Sequence, residues 1–229
     1  MLSSNGIRDF KARLAWWTKR GTGAVFDAIH SVDTRVGVPA DKLQIISGNR
    51  DKGIDYDTCP WSTLRRSMRL ASLHAEGFTF VDMGCGKGKV LLSAMAMPFT
   101  RIVGVEYSAY LCRVAEKNIT SVRLLQRSCF SVDIVCLDAV EYPIPNGPII
   151  FFFQNPFNYE IMEVVLDNVL TSYVNTPRPI YLLFFRASSI MPQINGFLPK
   201  KSGGRARRLI STTLGSRTIN IFEFPGERP

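Results

Sequence analysis

The segment Thr79-Phe-Val-Asp-Met-Gly-Cys-Gly-Lys-Gly-Lys-Val-Leu-Leu-Ser93 decides the fold of this chain. Its apolar beginning, which ends near Asp82, predicts a buried strand, and its last residues have the pattern of a helix start. Three glycines stand between them at alternate positions, Gly84, Gly86 and Gly88. Glycines let the backbone turn tightly and approach a ligand closely. This order of elements predicts a pocket for a nucleotide-like ligand at the carboxyl edge of a parallel sheet.

The spacing of the glycines separates two classes of ligand. A dinucleotide-binding turn has the pattern Gly-x-Gly-x-x-Gly, and Lys89 occupies the position of its third glycine. A carboxylate at Asp82 would also repel a pyrophosphate, which binds to bare N–H groups at a helix N-terminus. The same carboxylate suits the ammonium group on the methionine end of S-adenosylmethionine. The pattern therefore favours S-adenosylmethionine as cofactor, and a dinucleotide-dependent oxidoreductase is the alternative.

Two further predicted strands end in acidic residues. The run Arg101 to Tyr107 contains Glu106 near its end, and the run Asp133 to Asp138 ends in an acid. A carboxylate at the end of the second strand is placed to bind ribose hydroxyls. We therefore expect Glu106 to bind the ribose, Tyr107 to lie against the adenine and Asp138 to accept a hydrogen bond from the adenine amino group. An ordinary loop acid is the alternative, and it has most weight for Asp138.

The residues after a fourth strand are candidates for binding the methyl acceptor. The apolar run Pro148 to Gln154 is followed by Asn155, Pro156 and Phe157. Methyl transfer requires chiefly that a lone pair be held in line with the methyl group. The Asn155 amide oxygen can accept an N–H bond from a target nitrogen, and Phe157 can pack against a flat or cationic group. The pattern predicts a nitrogen acceptor, and a simple turn and helix-start signal is the alternative.

Together these motifs resemble those of the class I, Rossmann-like S-adenosylmethionine-dependent methyltransferases, from about Tyr56 to Phe224. The segment Val81 to Gly88 matches the first cofactor-binding motif of that family, and Glu106 matches its ribose-binding acid. The resemblance implies an α/β fold with a seven-stranded, mostly parallel sheet, helices on both faces and a C-terminal antiparallel hairpin. The cofactor-binding residues expected are Tyr56, Asp82, Gly84, Cys85, Gly86, Gly88, Glu106, Tyr107 and Asp138.

Two segments bear on the acceptor. Tyr56 to Arg66 resembles an element of a bacterial subgroup and of some non-SET protein-lysine methyltransferases, where it closes over the methionine end of the cofactor. Asn155 to Phe157 resembles the Asn/Asp-Pro-Pro-Tyr/Phe motif of amino-methyltransferases that act on adenine, cytosine or glutamine amides, with one proline fewer. A lysine acceptor must first lose a proton from a group with a pKa of about 10.4, which an amide need not do. Lysine, amide and nucleobase acceptors all stay open.

Composition indicates one enzyme-sized domain. The chain has 229 residues, 46% of them hydrophobic, which we divide into an N-terminal helical or irregular extension, 1–50, and a methyltransferase domain, 51–229. We expect the extension to act as a lid or substrate platform. No apolar run approaches the roughly 18 residues of a membrane span. Five cysteines without metal-like spacing, and only two histidines, predict no metal site and free thiols in the cytoplasm.

Charge predicts a polyanionic partner. The net charge is +9, and no acid occurs between Asp167 and Glu223. The basic loop Lys200 to Arg208 is predicted to follow a phosphate backbone, with simple solvation as the alternative.

The motifs and the resemblance together predict an S-adenosylmethionine-dependent N-methyltransferase of a macromolecular acceptor, with protein ahead of nucleic acid. A catalytically silent S-adenosylmethionine-binding regulatory module is the alternative from another class.

Overall fold

The computed structural model describes residues 24–35, 38, 59–123, 125–154, 157–214 and 217–226. Three residues singled out in the sequence lie outside these ranges, namely Tyr56, Asn155 and Pro156. Of the predicted extension 1–50, only residues 24–35 and 38 are described.

Within the described ranges, seven strands form one sheet in the order β3-β2-β1-β4-β5-β7-β6. Strands β1 to β5 are parallel, and β7 lies antiparallel to both β5 and β6. The strands are β1 (Thr79–Met83), β2 (Arg101–Glu106), β3 (Val132–Cys136), β4 (Ile149–Gln154), β5 (Ile180–Phe185), β6 (Arg207–Leu214) and β7 (Arg217–Phe224). The predicted Rossmann-like fold, mostly parallel with a C-terminal antiparallel hairpin, is confirmed.

Helices cover both faces of the sheet. They are α1 (24–30), α2 (Thr63–Leu70), α3 (Lys89–Met95), α4 (Ala109–Ser121), α5 (Tyr159–Asn175) and α6 (Met191–Lys201), with a short 3-10 helix at Ala139–Glu141. In β4, Phe151 and Phe153 pack with α5 and α6 on one face, and Phe152 packs with α2 and α3 on the other. Because both faces are buried, the central strands are continuously apolar, as expected for a parallel sheet. No helix in the described part of the chain is long and apolar enough to cross a membrane.

Some boundaries differ from those expected from the sequence. Strand β1 continues one residue beyond Asp82, and β3 ends at Cys136, two residues before Asp138. The chain leaves the sheet early there because the Asp138 side chain accepts a hydrogen bond from the Val140 N–H and starts the 3-10 helix. Asp138 is therefore a loop residue that begins a helical turn.

The predicted basic loop Lys200 to Arg208 is only partly a loop, because Lys200 and Lys201 end α6 and Arg207 and Arg208 begin β6. This basic segment lies at the edge of the sheet where the parallel strands begin. Arg207, the first residue of β6, pairs with Glu223 of β7. Phe224, which follows Glu223 in β7, pairs with Ile180, the first residue of β5. The predicted cofactor crevice lies at the opposite, carboxyl edge, about 20 Å away along the six residues of β5. The charge of this segment is therefore separated from the crevice by the length of the sheet.

Candidate active site

The glycine turn connects β1 to α3 at the carboxyl edge of the sheet. Gly84, Gly86 and Gly88 have φ angles of +82°, +54° and +77°, a left-handed conformation that glycine adopts without a steric penalty. The N–H groups of Gly84 and Cys85 both donate to the carbonyl of Val105, at 2.8 Å and 3.0 Å. The turn is therefore anchored to the end of the neighbouring strand β2.

Glu106, the last residue of β2, is bonded to this turn. Its Oε2 accepts a hydrogen bond from the N–H of Gly86 at 3.0 Å, and its Oε1 accepts one from the N–H of Ser108 at 2.9 Å. Burial raises the pKa of Glu106, and the hydrogen bonds from these N–H groups oppose that rise. Each carboxylate oxygen has a second lone pair. The side chain thus suits a ligand with hydroxyl donors, such as a ribose.

Asp82 is the second buried carboxylate of the site. Burial and the charge of Glu106 raise the pKa of Asp82 to about 8. Asp82 and Glu106 interact electrostatically in a buried site, so the two carboxyl groups resist being ionised together. A cation beside them favours their ionised forms. The pair therefore suits a ligand that brings positive charge, such as the ammonium group and sulfonium of S-adenosylmethionine.

Tyr107 and Asp138 lie together beyond the first two acids. Burial, Glu106 and Asp138 each raise the pKa of the Tyr107 hydroxyl, in that order of size. Asp138 is buried, and its carboxylate accepts the Val140 N–H at 3.2 Å. Asp82 in β1, Glu106 at the end of β2 and Asp138 shortly after β3 therefore all lie toward the carboxyl edge of the sheet. The capping role of Asp138 was not predicted from the sequence, because a 3-10 helix of three residues is too short to show a helical sequence pattern.

Cys85 fills space inside the site. It is buried, and an added Cβ on Gly104 of β2 would lie 2.8 Å from the Cys85 sulfur and 2.6 Å from Leu91 Cδ1. Burial is the main cause that raises the pKa of the Cys85 thiol well above its ordinary value. Cys85 therefore packs as a neutral side chain against Gly104. Gly104 was not singled out in the sequence, where it resembles an ordinary strand residue.

The loop after β4 reaches the glycine turn. An added Cβ on Gly84 would lie 3.7 Å from the Cε1 atom of the Phe157 ring, so this ring covers the first glycine of the turn. The next residue, Asn158, accepts the N–H of Ile161 at 3.1 Å and caps helix α5. The predicted acceptor residues Asn155 and Pro156 immediately precede Phe157 but lie outside the described residues.

These residues fit S-adenosylmethionine. The buried Asp82, once ionised, could pair with an ammonium group, and Glu106 offers acceptor oxygens for ribose hydroxyls. Positive φ angles at the three glycines give a tight turn, with no side chain at those three positions, beside both acids. In the described ranges, no group of three or more His, Cys, Asp or Glu side chains is arranged to hold a metal ion.

Comparison with known proteins supports this interpretation. Residues 81–153 match the family model described as a methyltransferase domain. This span begins within β1, ends within β4 and includes the glycine turn, Glu106 and Asp138. The predictions of a methyltransferase and of S-adenosylmethionine as its cofactor are confirmed. No curated protein sequence matches the chain.

Solved structures share the fold at low sequence identity. The ribosomal protein L11 methylase from Lactobacillus delbrueckii subsp. bulgaricus is 13% identical over 72% of this chain and 79% of that chain, with a TM-score of 0.52. A putative rRNA-methylase from Clostridium thermocellum is 16% identical over 75% of this chain and 100% of that chain, with a TM-score of 0.55. A dimethyladenosine transferase from Plasmodium falciparum is 11% identical over 74% and 62% of the respective chains, with a TM-score of 0.50.

Proposed function

We propose that this S-adenosylmethionine-dependent methyltransferase methylates a nitrogen atom of a macromolecule, with protein ahead of nucleic acid. The contact between the Phe157 ring and Gly84 carries this proposal, because it brings the loop after β4 against the turn that is proposed to bind the cofactor. Asn155 and Pro156 directly precede Phe157 in the chain. Acceptor and cofactor would then meet between the two loops.

The cofactor side of the site would bind and orient the methyl donor. When bound, S-adenosylmethionine supplies an electrophilic methyl group on a sulfonium. Asp82 would hold the ammonium group, Glu106 the ribose, and Asp138 with Tyr107 the adenine. Fixed acceptors in a water-poor crevice cost little reorganisation during the reaction. Tyr56 belongs to the same proposal through the resemblance of its segment.

The acceptor side would hold a nitrogen lone pair in line with the methyl carbon. The Asn155 amide oxygen would accept an N–H bond from the target nitrogen, and the Phe157 ring would pack against its flat or cationic group. The nitrogen forms the new bond to carbon as the sulfur–carbon bond breaks, and the proton lost from nitrogen passes to water. Such positioning is worth about 7 to 11 kcal/mol in favourable cases.

A protein acceptor is favoured by the segment upstream of α2. The segment Tyr56 to Arg66 resembles an element of a bacterial subgroup and of some non-SET protein-lysine methyltransferases, and Cys59 is the position in it that this resemblance does not account for. Burial raises the pKa of Cys59 to about 12, and the charges of Asp82, Lys89 and Arg217 also act on this thiol. Cys59, the first described residue of this segment, therefore lies within electrostatic reach of Asp82. Residues 1–50 would add a lid or platform for the acceptor.

A nucleic-acid acceptor is favoured by cations at the carboxyl edge. Arg186 follows the end of β5, and Arg217 begins β7 beside it, where the Arg186 N–H donates to the carbonyl of Thr218 at 3.0 Å. The Arg217 guanidinium lies 6.0 Å from the centroid of the Phe185 ring, a cation–π distance. Cations near the crevice would attract phosphates. The similar structures include a ribosomal protein methylase and a putative rRNA-methylase, so the fold does not choose between these acceptors.

Labelled methyl transfer tests the proposal. Wild type and Asn155→Ala are incubated with tritiated S-adenosylmethionine and separated protein, RNA, DNA and small-molecule extracts. Label is expected in the protein fraction and falls about tenfold or more in Asn155→Ala, with S-adenosylhomocysteine binding retained. Asn175→Ala, at the exposed end of α5, is the matched control.

The fractions separate the alternatives. Label confined to RNA or DNA would favour the nucleic-acid acceptor, and equal transfer by wild type and Asn155→Ala would remove Asn155 from the mechanism. Cofactor binding without label in any fraction would favour the catalytically silent module. The proposal also assigns the protein to the cytoplasm, supported by five free cysteines, none in a disulfide.

A further inference from the structure

Lys87 of the glycine turn is joined to the N-terminal segment. Its side chain is only 2% exposed, and its Nζ atom lies 2.9 Å from both carboxylate oxygens of Asp33. Asp33 itself is 56% exposed and precedes Lys87 by 54 residues. A buried ammonium group is costly unless it is paired, so Asp33 is the partner that lets Lys87 be buried here.

Asn118 of α4 completes this connection. Its Oδ1 accepts the N–H of Asp33 at 2.8 Å, and its Nδ2 donates to the carbonyl of Asp33 at 2.8 Å and to the carbonyl of Lys87 at 2.9 Å. Asn118 is buried. The cluster of Asp33, Lys87 and Asn118 thus joins the N-terminal segment, the glycine turn and α4 through backbone and side-chain bonds.

Residues 24–35 form an ordered unit around Asp33. The N–H and the hydroxyl of Thr34 donate to the two carboxylate oxygens of Asp27, at 2.9 Å and 2.6 Å. The N–H of Arg123, just after α4, donates to the carbonyl of His30 at 3.0 Å. The Phe26 ring packs at 4.4 Å from the Trp61 ring. This unit therefore packs against the end of α4 and the segment that precedes α2.

The position of Lys87 links this unit to the cofactor. Lys87 lies between Gly86, whose N–H binds Glu106, and Gly88, which caps α3. A shift of the Lys87 backbone would move the Gly86 N–H relative to the Glu106 carboxylate. Gly86 and Gly88, on either side of Lys87, have positive φ angles, and the bonds of Lys87 to Asp33 and Asn118 add to the backbone bonds that hold this turn.

We infer that docking of residues 24–35 through the cluster holds the glycine turn in its cofactor-binding form, so that docking and cofactor binding strengthen each other. Asp33, Lys87 and Asn118 are then positioning residues, since they act through Gly86 and Glu106. Coupling of this kind is reciprocal, and it typically changes affinity about 5- to 150-fold. The inference requires cofactor binding only and is independent of the acceptor.

Hydrogen exchange of the wild-type protein tests the coupling directly. Backbone amides of residues 24–35 are followed with and without saturating S-adenosylhomocysteine. Slower exchange in this segment on binding is expected. Unchanged exchange over 24–35, with S-adenosylhomocysteine bound, would overturn the inference. Failure of S-adenosylhomocysteine to bind at all would overturn the cofactor assignment as well, so the two failures are distinguishable.

A charge-removing variant gives the second test. Asp33→Asn keeps the shape of the side chain and the backbone bonds to Asn118, but it removes the charge that pairs with Lys87. We expect about a tenfold weaker affinity for S-adenosylhomocysteine and a higher KM for the cofactor, with kcat at saturating cofactor nearly unchanged. A purely structural role would lower the melting temperature without changing the KM.

Asp133→Asn is the matched control for Asp33→Asn. It breaks the exposed Arg101–Asp133 ion pair, which has an N–O distance of 2.8 Å and joins β2 to β3. The control should bind S-adenosylhomocysteine like the wild type. A folded Asp33→Asn protein with wild-type affinity, or an equal loss of affinity in the control, would contradict the positioning role.

Discussion

The Oε2 atom of Glu106 lies 3.0 Å from the backbone nitrogen of Gly86 and accepts its hydrogen bond. The other carboxylate oxygen accepts the N–H of Ser108 at 2.9 Å, where α4 begins. One buried side chain therefore sets the geometry of the glycine turn and the start of the next helix. The residue proposed to bind the ribose is also the one that holds the turn in place.

Substitution of Glu106 by glutamine should weaken cofactor binding. The amide keeps the size of the side chain, but only its oxygen can accept, so one of the two N–H bonds is lost together with the charge. A hydrogen bond to a charged group is worth about 1.5 to 3 kcal/mol, which corresponds to about 10- to 100-fold in affinity. Calorimetric titration with S-adenosylhomocysteine measures the effect. Glu116→Gln, on the exposed face of α4, should bind normally, and equal affinities for all three proteins would contradict the role of Glu106.

Cofactor affinity should rise with pH between about 6 and 8. The pKa of Asp82 is raised to about 8, so the acid is mostly protonated below that pH in the free protein. An ammonium group favours the ionised carboxylate and lowers its pKa on binding, which releases a proton. Each unit of pH below 8 should therefore weaken binding by up to about tenfold. Calorimetry in buffers of different ionisation enthalpy measures the proton release, which Asp82→Asn should abolish. The same release from both proteins would exclude Asp82 as its source.

The same acid should make the free protein less stable as pH rises. The folded-state pKa of Asp82 is above its ordinary value of 3.8, so the folded chain holds a proton that the unfolded chain has lost. The favourable contribution of Asp82 to the free energy of unfolding is complete below about pH 4 and is lost as pH rises through about 8. Asp82→Asn should therefore melt on the order of a few degrees higher than the wild type at pH 8.5, with a smaller gain at pH 5. Thermal unfolding at the two pH values checks this, and a gain that grows toward low pH would show the opposite sign.

Much of the cofactor-binding half of the molecule could be predicted from short-range patterns. The four apolar runs identified in the sequence became β1 to β4. Acids at the ends of parallel strands must share one edge, so the meeting of Asp82 and Glu106 followed from the topology. These features depend on local sequence and on the direction of the strands.

Other features depend on contacts that no local pattern indicates. Helix α6 contains Pro192, Gly196 and Pro199, which argue against a helix in isolation. Helix α6 forms because Pro192 lies in its first turn, where proline is tolerated. Its buried residues, such as Leu198, also pack against one face of the sheet. The pairing of Asp33 with Lys87 spans 54 residues and has no sequence signature at all.

Two glycines outside the turn should respond to alanine in opposite ways. An added Cβ on Gly104 would lie 2.6 Å from Leu91 Cδ1 and 2.8 Å from the Cys85 sulfur, so α3 or the glycine turn must shift. Such overpacking costs about 1 to 3 kcal/mol, and it should also weaken S-adenosylhomocysteine binding because Cys85 belongs to the turn. Gly196 lies within α6 with nothing within 4 Å of an added Cβ, so Gly196→Ala should stabilise the protein by about 0.5 to 1 kcal/mol.

Denaturant unfolding and S-adenosylhomocysteine titration are carried out on the Gly104→Ala and Gly196→Ala proteins. They distinguish the effect of packing in the folded state from the effect of conformational freedom in the unfolded chain. Both substitutions remove the same conformational freedom from the unfolded chain, so a difference in sign must come from the folded state. Because the Cys85 N–H and the Gly84 N–H share the Val105 carbonyl, a displaced Cys85 should move the first glycine of the turn as well. If Gly104→Ala were as stable as the wild type and bound S-adenosylhomocysteine normally, the close packing of β2 against the turn would not be what fixes the site.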